Sequence, residues 1–329
     1  MTPAKKAVKS NEFFLFAIIA VMCVIFGCIN PAFFSAANIF DILKSMVETG
    51  VLAMGCLVVM ISGGLDLSFM AIAVFAMHTI CRFFGEGFND APMLLLFVAG
   101  ASIGVLLGMF NSIFVAKFKL PSFIVTLGTS NIIKGFLLAF IGSKQINRIP
   151  AAMIAFSKNN LVTFPTPTGN ANLHVGVLVL AAAVAATSIL LSKMTLGRRI
   201  YCIGGNAASA ERVGINNARV LVFVYAFAGA MAGLVGVMHA SFQRMSNPFD
   251  LVGGELNVIA AVVLGGPQVG GGYGNTVGTM LGVLLITLIN NSLVMLKVPT
   301  FWQRATIGVI IILGTVVQIY RYKKSQKAA

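Results

Sequence analysis

The chain reads as an all-α membrane protein of about ten transmembrane helices, and two observations predict that class. Of its 329 residues, 58% are hydrophobic and only 10% are charged, whereas soluble domains run at about 45–50% apolar and about 25% charged. The apolar residues are also gathered into long runs, and about 20 such residues cross the hydrocarbon core as a helix. A water-soluble enzyme is excluded, because too few polar side chains exist to cover that much apolar surface.

Runs of spanning length lie at 13–29, 46–62, 67–84, 91–115, 121–141, 173–192, 219–240, 276–296 and 301–320. A shorter one, 255–265, is bracketed by Gly253-Gly254 and Gly265-Gly266. It reads as a short span or a re-entrant piece, which lipid tolerates only inside protein or beside a water-filled cavity. Lys5, Lys6 and Lys9 precede the first run in the manner of a signal peptide, but the series of later runs makes it a retained span. The chain thus divides into a tail at 1–12, a transmembrane domain at 13–320 with a long loop at 193–219, and a basic tail at 321–329. An even number of crossings puts both termini on one side. The larger share of the 23 basic residues falls on that side, including Arg198, Arg199, Arg212 and Arg219 of the long loop, so by the positive-inside rule it is cytoplasmic. The net charge of +14 is dispersed between apolar runs and suits a bilayer surface, not nucleic acid. The segment 143–172, with Pro150, Pro165 and Pro167, reads as an irregular outer loop.

Chemistry is sparse. No Gly-Lys-Ser or Gly-Lys-Thr is present to form a P-loop, no HExxH occurs, and the nine acidic residues are scattered. Five Cys and three His form no CxxC or Cys/His cluster, so no disulfide framework or metal site follows. Transport or structural work remains.

Three segments carry the most information. In the loop Lys193–Arg219, Gly204-Gly205-Asn206 makes a turn with Asn206 as N-cap, Ala207–Val213 follows as a short helix, and Gly214 stops it. That helix is either a docking element or a plain connector. Ile61–Ser68 (ISGGLDLS) breaks two spans, with Asp66 or Ser68 able to cap the helix that follows. It is a tight cytoplasmic turn, or else a break at depth of the kind that lines a transport pathway. Gly265–Gly278 holds seven glycines in fourteen residues, which permits close backbone approach between helices or a flexible turn.

Polar residues inside the runs are Glu48, Asn111, Thr126, Thr129, Asn131, Lys134, Asn257, Thr287, Asn290 and Asn291. Glu48 and Lys134 must face protein or water, and each is available to pair with the other. Asp66, Ser68, Asn111, Thr126, Asn257, Asn290 and Asn291 are the candidate pathway residues, suited to a hydroxyl-rich ligand and equally to bridging helices. His78 and His239, near span ends, read as interfacial. Phe301 and Trp302 fit an anchor at the start of the last span.

The order of these motifs resembles the permease subunits of bacterial ATP-binding-cassette importers of the ribose/xylose/galactose type. It is carried by Ile61–Ser68, Asn111 in GMFNSIFVAKF, Pro121–Gly128 (PSFIVTLG), Lys134-Gly135, Gly197–Asn206 (GRRIYCIGGN), Glu211–Ile215 (ERVGI), Ala260–Gly266 (AAVVLGG), Gly270–Gly278 and Asn290-Asn291, over about 45–320. The resemblance implies a type II importer fold of ten spans in a bacterial inner membrane. It also implies pairing with a second permease copy or paralogue, and substrate delivery by a periplasmic solute-binding protein. The chain itself would bind no cofactor, ATP and Mg being held by partner ABC ATPase subunits. On Gly204, Gly205, Asn206, Glu211, Arg212, Gly214 and Ile215 it places the coupling helix. Two departures stand out: the first acid after Gly-Gly-Asn is Glu211, and Phe69-Met70 stand where relatives commonly carry Val-Gly. Nucleoside and furanosyl-signal importers resemble the chain too, and an ion- or proton-coupled carrier using Glu48, Asp66 and Lys134 is the alternative of another class.

Overall fold

A computed structural model describes residues 11–86, 90–166, 169–267 and 270–299, with single positions between 302 and 312. The tail before residue 11, Phe301, the 301–320 run apart from those positions, and the tail 321–329 lie outside the described residues. Trp302 is described and exposed.

The elements are α1 (Asn11–Ile29), α2 (Ala36–Ile61), α3 (Phe69–Glu86), α4 (Met93–Ser112), α5 (Ser122–Phe136), α6 (Ala151–Lys158), β1 (Asn160–Thr166), β2 (Gly169–His174), α7 (Gly176–Ser192), α8 (Thr195–Gly205), α9 (Ala207–Arg212), α10 (Asn217–Gln243), α11 (Glu255–Leu264) and α12 (Thr276–Met295). One π-helical turn extends α4 through Ile113–Lys117 and another extends α5 through Leu137–Ile141. Among the described residues, six helices are long and apolar enough to cross a membrane, and the α7–α8 pair, bent by 73°, makes a seventh if taken as one broken span. The apolar helices α3 and α11 are shorter.

α2 occupies the centre and is mostly buried, with Met54, Leu57, Met60 and Ile61 fully enclosed. It starts ten residues before the apolar run that announced it. The Ser35 hydroxyl accepts from the Asn38 amide at 3.3 Å and caps it, while Asp41 and Lys44 make its first turns polar and hide them from a hydropathy reading.

α10, also largely buried, lies against α4 along a glycine seam. Gly100, Gly104 and Gly108 on α4 face Gly233, Gly229 and Tyr225 on α10. A Cβ added at Gly104 would overlap the Gly229 carbonyl oxygen, and one at Gly229 the Gly104 oxygen; Gly233 and Gly100 oppose each other in the same way. This is small-xxx-small packing, in which missing side chains let two backbones touch. Gly100-Ala101-Ser102-Ile103-Gly104 also has the G-x-S-x-G spacing of a nucleophile elbow, which belongs at a strand-to-helix turn. Here it is mid-helix with Ser102 exposed, and the spacing serves packing. A second close crossing joins α11 to α12, where Gly265, Gly278 and Gly282 meet backbone. The glycine-rich stretch therefore does bring helices together.

The segment expected as an irregular outer loop is ordered instead. It forms α6 and an antiparallel hairpin in which Val162 pairs with Leu173 and Phe164 with Ala171. The Phe164 ring stacks at 6.1 Å on Phe40 of α2. Pro165, the signal that argued for irregularity, is accommodated because a two-stranded sheet is all edge and needs no amide on the outer side.

Candidate coupling and translocation site

The loop after α7 folds as its turn residues dictate. Asn206 is extended (φ −160°, ψ 102°), and its side chain accepts from the Ser209 amide at 2.9 Å, capping α9. At the other end Gly214 takes φ +84°. Its amide reaches the Glu211 carbonyl at 3.0 Å and the Ile215 amide reaches Ala210 at 3.1 Å, the paired bonds of a Schellman stop. Ala210 is buried and Ile215 packs against the core, while the Asn217 side chain donates to the Ala207 carbonyl at 2.8 Å. α9 is thus locked at both ends and presents Glu211, Arg212 and Val213 outward.

Behind α9 three backbones meet. A Cβ on Gly204 would overlap the Ile61 carbonyl oxygen; one on Gly271 would lie 2.7 Å from the Gly63 Cα, and one on Gly272 2.8 Å from the Gly205 Cα. The Gly272 amide donates to the Ile61 carbonyl at 2.8 Å, and the Tyr201 hydroxyl donates to the Gly274 carbonyl at 2.6 Å. Gly63, Gly271, Gly272 and Gly274 all take positive φ, which glycine alone adopts without strain.

The break between α2 and α3 is strapped from two sides. The Leu65 amide donates to the Ser122 hydroxyl at 2.9 Å and the Leu67 amide to the Thr126 hydroxyl at 3.1 Å, both on α5. Asp66 Oδ1 accepts from the Ser68 amide at 2.7 Å and from its hydroxyl at 2.6 Å. Asn111 of α4 donates to the Ser68 hydroxyl at 2.7 Å. Asp66, Ser68, Asn111 and Thr126 therefore form one cluster, and all four are buried. In this conformation they bind the break together, and Asp66 closes an Asx turn on Ser68 immediately before α3. Asn257, Asn290 and Asn291 sit on α11 and α12, half-buried, with no side-chain bond to that cluster; the Asn291 Oδ1 is enclosed without a partner.

Replacing Asn111 with leucine removes the donor to Ser68. It is expected to lower the melting temperature by the equivalent of about 1–3 kcal/mol, the cost of stranding a buried polar group. If uptake KM rises while thermal stability stays at the wild-type value, Asn111 contacts the ligand and is no strap.

The charges pair differently from the sequence expectation. Glu48 meets not Lys134 but His239, whose Nδ1 lies 3.1 Å from Oε2, and His239 Nε2 lies 3.6 Å from Asp250. Lys134 pairs with Glu255 at 3.6 Å. Partner choice turns on rotational phase and depth along each helix, which spacing does not report. Both histidines are buried in protein, and His78 Nδ1 lies 3.0 Å from the Ser246 hydroxyl. Their bonds to the segment 245–254, whose Leu251 and Gly253 have positive φ, draw it down onto the helix ends. The glycine seam escaped the sequence reading although its signal, glycines four apart at 100, 104 and 108, stood inside one apolar run.

A family model described as "Branched-chain amino acid transport system / permease component" matches residues 38–315, a stretch holding every motif above. The chain belongs to this family. As a permease component it is a transport subunit, not an enzyme, and a multi-pass membrane protein. Similar proteins include the ribose import permease protein RbsC of Bacillus subtilis (strain 168), 31% identical over 89% of this permease and 88% of that protein. The probable ABC transporter permease protein YphD of Escherichia coli (strain K12) is 32% identical over 97% and 92% of the two chains. The autoinducer 2 import system permease protein LsrC of Yersinia enterocolitica is 31% identical over 92% and 80%. No solved structure matches this permease.

Proposed function

We propose that the chain is the membrane-spanning permease subunit of an ATP-driven importer in a bacterial inner membrane, carrying a monosaccharide or similar neutral polyhydroxylated solute. The observation that carries this reading is α9, locked at both ends, offering Glu211, Arg212 and Val213 to a partner and seated on the glycine contact behind it. Ribose and autoinducer 2 are the solutes named for its relatives. The scarcity of charge in the spanning segments supports a neutral cargo: Lys134 pairs with Glu255, and His239 stands between Glu48 and Asp250.

The ten crossings are α1, α2, α3, α4, α5, α7, α10, α11, α12 and the 301–320 run, with both termini and α9 cytoplasmic. Two such permeases enclose the pathway, a periplasmic solute-binding protein delivers the cargo, and partner ATPase subunits hold ATP and Mg. ATP binding and hydrolysis there push α9. Access then switches through the breaks that Asp66, Ser68, Asn111 and Thr126 hold, past Asn257, Asn290 and Asn291.

The test is the double substitution Glu211→Ala with Arg212→Ala. Co-purification with the ATPase and ATP-dependent uptake into proteoliposomes are both expected to fall at least roughly tenfold, as loss of a central charged anchor does at other interfaces. Unchanged association and uptake, or gradient-driven accumulation by this chain alone, would sink the importer reading.

A further inference from the structure

We propose that Tyr201 is a positioning residue that makes the glycine contact a transmission joint, carrying displacement of α9 into two separate membrane elements at once. The inference rests on the importer reading and deepens it by naming the route from handle to pathway.

Where Gly204 and Gly205 meet Ile61–Gly63 on one side and Gly271-Gly272 on the other, no side chain intervenes. A side-chain interface absorbs a push by rotamer change, whereas opposed backbones already in contact have nothing to reorient. A displacement of Gly204 therefore presses directly on the Ile61 carbonyl, the last turn of α2, and through the Gly272 amide bonded to that same carbonyl at 2.8 Å it reaches the turn before α12.

Compression alone transmits in one direction; a return stroke needs a tie. Tyr201 supplies it. It stands one turn before Gly205 on α8, and its hydroxyl holds the Gly274 carbonyl at 2.6 Å. The next residue, Asn275, caps α12 by accepting from the Gly278 amide at 2.6 Å and donates to Glu12 of α1 at 2.7 Å. Pulling α8 thus draws the first turn of α12, with α1 attached to it. On the other side Leu65 and Leu67 hang from Ser122 and Thr126 of α5, so the push on Ile61 and Gly63 arrives at the α2–α3 break. One handle addresses α2–α3–α5 through contact and α12–α1 through a hydrogen bond.

The variant to make is Tyr201→Phe, which removes one oxygen and leaves the ring. Two measurements on it decide the matter. The first needs no ATPase: hydrogen exchange of the permease alone in nanodiscs. Exchange in the segment that includes the Gly272 amide is expected to speed up roughly three- to tenfold, the effect of releasing one hydrogen bond's restraint, with the rest of the protein unchanged. The second is the number of solute molecules taken up per ATP hydrolysed in the reconstituted importer. It is expected to fall by a similar factor, with ATPase binding and basal hydrolysis intact. A merely structural tyrosine would lower uptake and hydrolysis together. Unaltered exchange overturns the tie, and so does an unaltered ratio. Failure of the wild-type chain to bind any ABC ATPase strikes at the importer reading instead, and the exchange measurement still decides the joint.

Discussion

Replacing Gly104 with leucine is expected to abolish the folded permease. The added side chain has nowhere to go, because the atoms it meets are the Gly229 carbonyl and the Gly233 amide of α10, not the flexible tip of another side chain. Overpacking of side chains costs about 1–3 kcal/mol when neighbours can shift. Here a backbone must move, so α4 and α10 separate along the seam and Gly100 and Gly108 lose their contacts as well. The loss exceeds that range and takes a large share of the about 5–15 kcal/mol by which folded proteins are stable. Size-exclusion profile and melting temperature in mild detergent measure it. The matched control is Gly128→Ala on α5, which has no atom within 4 Å of the new Cβ. It is expected to keep or slightly raise stability, since alanine gains about 1 kcal/mol over glycine inside a helix. A Gly104→Leu protein that melts with the wild type would show that the seam is not closed.

The second large effect is expected at His239. Changing it to leucine keeps the volume and leaves the carboxylates of Glu48 and Asp250 facing each other without the imidazole between them. Stranding a partner of a buried ion pair costs roughly 3–5 kcal/mol. Glu48 and Asp250 are 23% and 27% exposed, so water relieves part of that, and about 2 kcal/mol is expected. The diagnostic is the direction of rescue: adding Glu48→Gln to His239→Leu should recover stability, whereas Glu48→Gln alone should lose it. Thermal melts of the three variants form the cycle. If the double variant is no more stable than His239→Leu, the two residues are not coupled.

Which features the sequence disclosed follows from the range of the interactions behind them. α9 was legible because its determinants are local: Asn206 and Gly214 each act within five residues of themselves. The membrane class and the long helices were legible because hydropathy is a property of a run. The Ile61–Ser68 break was visible through Gly63-Gly64. What surrounds that break was not, because Ser122, Thr126 and Asn111 come from helices whose rotation no local pattern reports. The same limit defeated the pairing of Glu48, whose partner lies 191 residues away. Pathway residues were nominated for polarity inside apolar runs; in this structure Thr126 and the Asn111 amide nitrogen bond other protein groups, while the Asn111 and Asn291 side-chain oxygens are enclosed without a partner.

The α4–α10 seam has one further consequence. Each glycine there sits opposite a carbonyl, so screwing α4 by one residue, a turn of about 100°, would drive the Cβ of a neighbour such as Ala101 or Val105 into the space that only hydrogen atoms now fill. The contact therefore admits no intermediate registers, and it has no rotamers to lose when it forms. Two helices joined in this way travel as a single beam. Whatever rocking exposes one side of the bilayer and then the other must be accommodated at the beam's margins, where α5, α11 and α12 meet it or its neighbours, and never along its length.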